Sequence, residues 1–203
     1  NIAWLNIALW LPLQAILGSN LAYSLVFLVV LALNGTSMYL LVEELLDSRP
    51  AAFLGGLIYG FWPYTLSHYG HPNMMVGFGV PMALLYLKRT VEQKRLGDAL
   101  LAAIFLALIG IARWQLLIMA SGVIGLYVLW RCIGEKACRT RRSLGLLAVV
   151  GLAAAVLMAP LAAPVAAAYL NSGSPEEVLI EDEISGQTDL LAYVLPTRYH
   201  PLW

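Results

Sequence analysis

The 203-residue chain is 61% hydrophobic and only 12% charged, and its twelve cations balance its twelve acids. An ordinary soluble domain carries about 25% charged residues, so that class is excluded. The cations flank apolar runs instead of lining an exposed surface, which also argues against a nucleic-acid partner.

Several apolar runs approach the ~20 residues that cross a bilayer. They are continuous and do not alternate, so helices are expected and not barrel strands. The pattern predicts an all-α, polytopic transmembrane helical bundle of about six spans, with a further helix at the N-terminus. The first run, Ile2 to Leu17, is short for a span and carries Trp4 and Trp10. It reads as a clipped transmembrane helix or one lying at the interface. Asn1 leads straight into it, which suggests a piece of a longer protein.

Gly18-Ser19-Asn20 ends that run, and residues 21–42 form a full predicted span with a polar notch from Asn34 to Ser37. Small and hydroxyl residues inside a span usually pack against a neighbouring helix. Glu43, Glu44, Asp47 and Arg49 mark a return to water, and Pro50 starts the next helix. The span 51–68 contains Gly56-Leu57-Ile58-Tyr59-Gly60, a spacing that permits close helix approach. It becomes aromatic and then polar, closing on Ser67-His68-Tyr69-Gly70-His71-Pro72-Asn73. Another span, 74–88, follows at once, so His68, His71 and Asn73 are expected in a tight turn where membrane meets water. Pro81 is expected to kink that span.

Nine cations fall in two segments: Lys88, Arg89, Lys94 and Arg95, then Arg131, Lys136, Arg139, Arg141 and Arg142. One crossing between them would place the two clusters on opposite faces, against the positive-inside rule. Two crossings, 98–112 and 115–131, keep both clusters cytoplasmic. The turn then falls at Gly110 to Gln115, and Arg113 sits in a recess on the outer face. Cys132 and Cys138 lie in the second basic loop without zinc-like company and are expected as unpaired cytoplasmic thiols. Residues 143–170, interrupted by Pro160 and Pro164, give the sixth span.

Two regions result, a transmembrane domain over 1–170 and an acidic extracytoplasmic tail over 171–203. The tail holds Glu176, Glu177, Glu181, Asp182, Glu183 and Asp189, a run expected to be solvated and not metal-bound. His68 and His71 stand three apart, but Gly70 and Pro72 argue against a helical metal pair, and no metal or cofactor is expected. No HExxH, GxSxG or glycine-rich phosphate loop is present.

The segments Leu21-Ala22-Tyr23-Ser24-Leu25, Gly35 to Tyr39, Ala51 to Tyr64 and Gly70-His71-Pro72-Asn73 resemble bacterial multi-pass C-type (GT-C) glycosyltransferases and their membrane relatives. Thr188 to Pro196 with His200-Pro201-Leu202-Trp203 resembles the stretch after a late span in those relatives. The resemblance implies a GT-C-like fold and transfer of a sugar from a polyprenyl-phosphate carrier to an envelope acceptor at the extracytoplasmic face. It also implies a bacterial cytoplasmic-membrane location. The family's usual catalytic carboxylate lies in the first external loop, yet no Asp or Glu precedes Leu21. Either the base lies upstream of Asn1, or the chain is a non-enzymatic transporter or membrane-assembly subunit. Arg113, His68, His71 and Asn73 remain as the external substrate-binding candidates. Arginine suits phosphate through its planar fork of donors, and histidine can donate at the same depth.

Overall fold

A computed structural model describes residues 4–68, 70–135 and 138–171 of the chain. The acidic tail and its resemblance to the late segment of the glycosyltransferases lie outside the described residues. The chain divides into compact units 1–160 and 161–203. In the second unit the described part is the end of a single helix.

The described residues are all-α, with seven helices of twelve residues or more and two short ones. They are α1 (Trp4–Leu17), α2 (Ser19–Leu46), α3 (Arg49–Gly60), α4 (Pro63–Ser67), α5 (Pro72–Met75), α6 (Gly79–Gln93), α7 (Leu96–Ala112), α8 (Trp114–Gly134) and α9 (Arg141–Asn171). Three are long and apolar enough to cross a membrane: Ser19–Leu46, Trp114–Gly134 and Arg141–Pro164. Their outer faces stay apolar and exposed, as at Leu28, Val123, Leu126, Leu152 and Val156. A surface of this kind belongs in lipid or against another apolar surface, and the chain is an integral membrane protein with several spans.

Three candidate spans replace the six expected from sequence, and length is the reason. At about 1.5 Å per residue, helices of 12, 15 and 17 residues reach about 18, 22 and 26 Å, short of a ~30 Å hydrocarbon core. The run 51–68 is divided between α3 and α4 at Phe61-Trp62. The run 74–88 breaks at Val76 to Phe78, several residues before the expected kink. Pro81 then lies in the first turn of α6, where its missing N–H costs nothing. By contrast α9 continues through Pro160 and Pro164.

α2 and α3 form an antiparallel pair whose seam is glycine on glycine. A Cβ on Gly56 would stand 2.7 Å from the Gly35 carbonyl oxygen, and one on Gly60 would stand 3.1 Å from the Gly35 Cα. On the other side of α2, Val26 and Val30 pack with Met75, Val76, Phe78 and Ala112. The Leu5, Leu9 and Leu13 face of α1 covers this cluster, so α1 lies against the bundle. A second core joins Ala99, Ala102 and Ala103 of α7 to Ala120 and Ile124 of α8 and to Val150 and Ala154 of α9.

Only Arg113 separates α7 from α8, inside the turn expected at Gly110 to Gln115. The two helices run antiparallel, because Arg131 near the end of α8 pairs with Glu92 beside the start of α7. Cys132 and Cys138 are joined in a disulfide, Cα to Cα 4.9 Å, which corrects the expectation of unpaired thiols. The last turn of α8 and the turn before α9 bring the two residues face to face, a closure that spacing alone does not encode.

The disulfide and the cations point to opposite compartments. Disulfides are rare in a reducing cytoplasm, whereas clustered Lys and Arg favour the cytoplasmic face. Nine cations outweigh one bond, so Gln93 should be cytoplasmic and Gly70 external. With Cys132 and Cys138 replaced by Ser, an impermeant maleimide on intact cells should label Gly70→Cys and spare Gln93→Cys. The reverse pattern would invert the chain in the membrane.

Candidate functional site

One end of the bundle is closed by ion pairs. Glu44 near the end of α2 meets Lys88 at 3.3 Å and Arg89 at 2.6 Å, and Lys88 also meets Glu92 at 2.8 Å. Glu92 meets Arg131 at 2.8 Å, and Arg131 meets Glu135 at 3.0 Å. Three of the nine clustered cations are thus committed to holding α2, α6 and α8 together.

The other end carries the residues singled out from sequence. Pro63 opens the single-turn α4 at its first position, where proline fits. One turn later His68 caps α4, with its backbone N–H on the Tyr64 carbonyl at 3.2 Å. Its ring lies against that of Tyr64, tilted by 32° with centroids 4.1 Å apart. His68 Nδ1 lies 2.7 Å from the same carbonyl, which can only accept, so Nδ1 carries a proton. In the neutral ring Nε2 is then the acceptor, and in the charged ring it is a second donor. The His71 ring stands edge-on to His68 at 6.2 Å, and the His71 N–H bonds the His68 carbonyl at 2.8 Å.

Arg113 reaches this group from the other hairpin. Its backbone N–H bonds the Ile109 carbonyl at 2.8 Å and its carbonyl accepts from Leu117 at 3.2 Å, so one residue closes both helices. Its Nη1 donates to the Tyr64 hydroxyl at 3.2 Å. Its Nε is buried and has no partner among the described residues. The neighbouring Ala112 packs with Val26 and Val30 of α2, about 18–24 Å above Val42 at 1.5 Å rise.

The structure therefore brings Arg113, His68 and His71 to one end of the bundle and links them through Tyr64. Asn73 belongs to α5, but its side chain lies outside the described residues. Tyr64 is the member that sequence reasoning passed over. It stands in an aromatic run with Phe61 and Trp62, and such runs ordinarily mark a membrane interface. The signal that could have found it is the four-residue step from Tyr64 to His68, which brings the two rings together across one helical turn.

Chemically the group offers a guanidinium, a phenol and an imidazole, a set suited to an oxyanion. The described acids, Glu43, Glu44, Asp47, Glu92, Asp98 and Glu135, all sit at the helix ends away from Arg113. No curated protein and no solved structure matches the chain. Residues 5–197 match the family described as Domain of unknown function (DUF6311), and the chain belongs to that family.

Proposed function

We propose that the chain is a module of a GT-C-like membrane glycosyltransferase. It would act at the extracytoplasmic face of a bacterial cytoplasmic membrane, moving sugar from a polyprenyl-phosphate carrier to an envelope acceptor. The observation that carries this reading is the half-buried Arg113, bonded to Tyr64, beside His68 and His71. A polyprenyl phosphate keeps its chain in lipid and its charge near headgroup depth, where the part-exposed guanidinium of Arg113 would meet it beside the exposed Tyr64 contact. Charge-assisted contacts to phosphate oxygens would hold the carrier and offset the charge that develops as it departs.

The reaction also needs a base to take the proton of the acceptor hydroxyl. None of the described acids reaches Arg113, so the base belongs to a segment outside the described residues. That same observation favours one alternative, a transporter or membrane-assembly subunit that binds the carrier without chemistry.

The test is polyprenyl-phosphate binding by the complete protein. Loss of a charge-assisted contact in Arg113→Gln is worth ~1.5–3 kcal/mol, a fall of about ten- to a hundredfold in affinity. His71→Ala should weaken binding less. If both variants fold and bind undiminished, the site is wrong. Binding that persists with no sugar transfer by the full-length protein would select the alternative.

A further inference from the structure

The break between α5 and α6 is the least expected part of the fold. Sequence makes Met74 to Leu87 one apolar run, yet the helix stops at Met75 and resumes at Gly79. Broken backbone at membrane depth strands N–H and C=O groups, and it persists only where protein satisfies them. Here one side chain of α2 does much of that. Asn34, 1% exposed, donates its Nδ2 to the Met75 carbonyl at 2.9 Å. Its Oδ1 accepts from the Gly77 N–H at 3.0 Å. Tyr59 of α3 completes the junction, its hydroxyl donating to the Gly77 carbonyl at 2.8 Å.

We propose that Asn34 is a positioning residue: by clasping Met75 and Gly77 it sets where the arm bearing Tyr64, His68 and His71 lies relative to Arg113. Three links connect cause to effect. The clasp fixes Met75, the last residue of α5. Met74 of the same turn donates its backbone N–H to the His71 carbonyl at 2.8 Å, and His71 donates to His68. The Tyr64 hydroxyl, which accepts from Arg113, also points at Met74 Sδ at 3.8 Å. The arm is thus tied to the clasp through backbone bonds and through one side chain. This placement holds whatever the arm binds.

Gly77 supports the assignment. A Cβ there would stand 2.9 Å from the Tyr59 hydroxyl and 3.6 Å from Asn34 Oδ1, so the clasp closes only over a residue without one. Around the clasp stand Val26 and Val30 from α2 and Met75, Val76 and Phe78 from the broken segment, and the buried Ser37 hydroxyl donates to the Asn34 carbonyl at 2.8 Å. Tyr59 is the titratable side chain bonded to the junction.

A carboxyl in place of the amide gives a test that packing alone does not mimic. Neutral aspartic acid can donate to Met75 and accept from Gly77, whereas aspartate can only accept. The two protonation states are compared by recording at about pH 5 and at about pH 9. Spin labels go on Gly70→Cys and Gln115→Cys, both exposed, in the whole chain in nanodiscs with Cys132 and Cys138 replaced by Ser. Pulsed dipolar spectroscopy then reads the separation of the arm from the α7–α8 turn, with the parent pair recorded at both pH values.

Asn34→Leu should shift the ratio of parent to displaced distances about tenfold or more, since it strands a buried donor and a buried acceptor. Asn34→Asp should keep the parent distance at the acid pH and move to the displaced one at the alkaline pH, reversibly. A single distance for Asn34→Asp at both pH values would overturn the proposal, as would a parent distance in Asn34→Leu. If Asn34→Leu fails to fold, the pH reversal in Asn34→Asp decides alone.

Discussion

Gly56→Leu should melt far below the parent, and Gly60→Leu should follow it. At Gly56 the first added carbon meets the Gly35 carbonyl oxygen at 2.7 Å and Tyr39 Cβ at 3.3 Å. At Gly60 it meets Gly35 Cα at 3.1 Å and the Leu31 carbonyl oxygen at 3.3 Å. These neighbours are largely backbone and have no rotamer to turn aside, so α2 and α3 must separate along their whole seam. Overpacking usually costs ~1–3 kcal/mol, and a backbone seam lies at the upper end of that range. The separation would also drag Tyr59 from Gly77. Gly125→Leu is the control, since nothing lies within 4 Å of a Cβ there and the site is exposed on α8. Thermal melting in one detergent should show a large drop for the first two variants and almost none for the third. Equal melting of all three would mean that α2 and α3 are not packed glycine on glycine.

What the sequence revealed and what it hid divide on physical lines. The α7–α8 turn was legible because charge segregation is a one-dimensional signal. Two basic clusters on one face call for a return between them, and the return falls at Arg113, although α7 is too short to count as a span. The glycines at 56 and 60 were legible too, because a four-residue step puts them on one helix face. The break at Val76 to Phe78 was not. Met74 to Leu87 is free of charge and, although Gly77 and Gly79 weaken a helix there, the group that holds the break, Asn34, lies more than 40 residues away. Local pattern gives no hint that a packing notch is bonded to a distant backbone. The excess of expected spans has the same origin, since hydropathy measures composition while span length depends on where helices stop. At the candidate site Arg113, His68 and His71 were legible as charges and donors at loop positions. Tyr64 was not, because its role exists only once two separate hairpins meet.

Arg131→Gln should loosen the other end of the bundle. Arg131 is 11% exposed, bonded to Glu92 and Glu135, and lies over the Tyr127 ring at 6.0 Å. Breaking a fully buried pair from one side costs ~3–5 kcal/mol, because the orphaned charge cannot be rehydrated. Here Glu92 and Glu135 retain 36% and 43% exposure, so water recovers part of that and the loss should be ~1–2 kcal/mol. Arg49→Gln supplies the contrast: Arg49 is 88% exposed and 3.7 Å from Glu43, so its removal should change stability by under ~0.5 kcal/mol. Adding Glu92→Gln to Arg131→Gln should restore part of the loss, the mark of coupling between neighbours. Acidification tests the same contact from the carboxylate side. Burial pushes the Glu92 carboxyl up, hydrogen bonds from Lys88 and then Arg131 pull it down, and the net value falls below the ordinary 4.5. Its contribution is therefore full above pH 4.5 and lost as pH drops through the lowered folded value. The parent should lose stability in that acid window more steeply than Glu92→Gln, which has no carboxylate to protonate there. Parallel acid profiles, together with an Arg131→Gln variant that melts like the parent, would show that these charges are merely solvated and do not clamp α6 to α8.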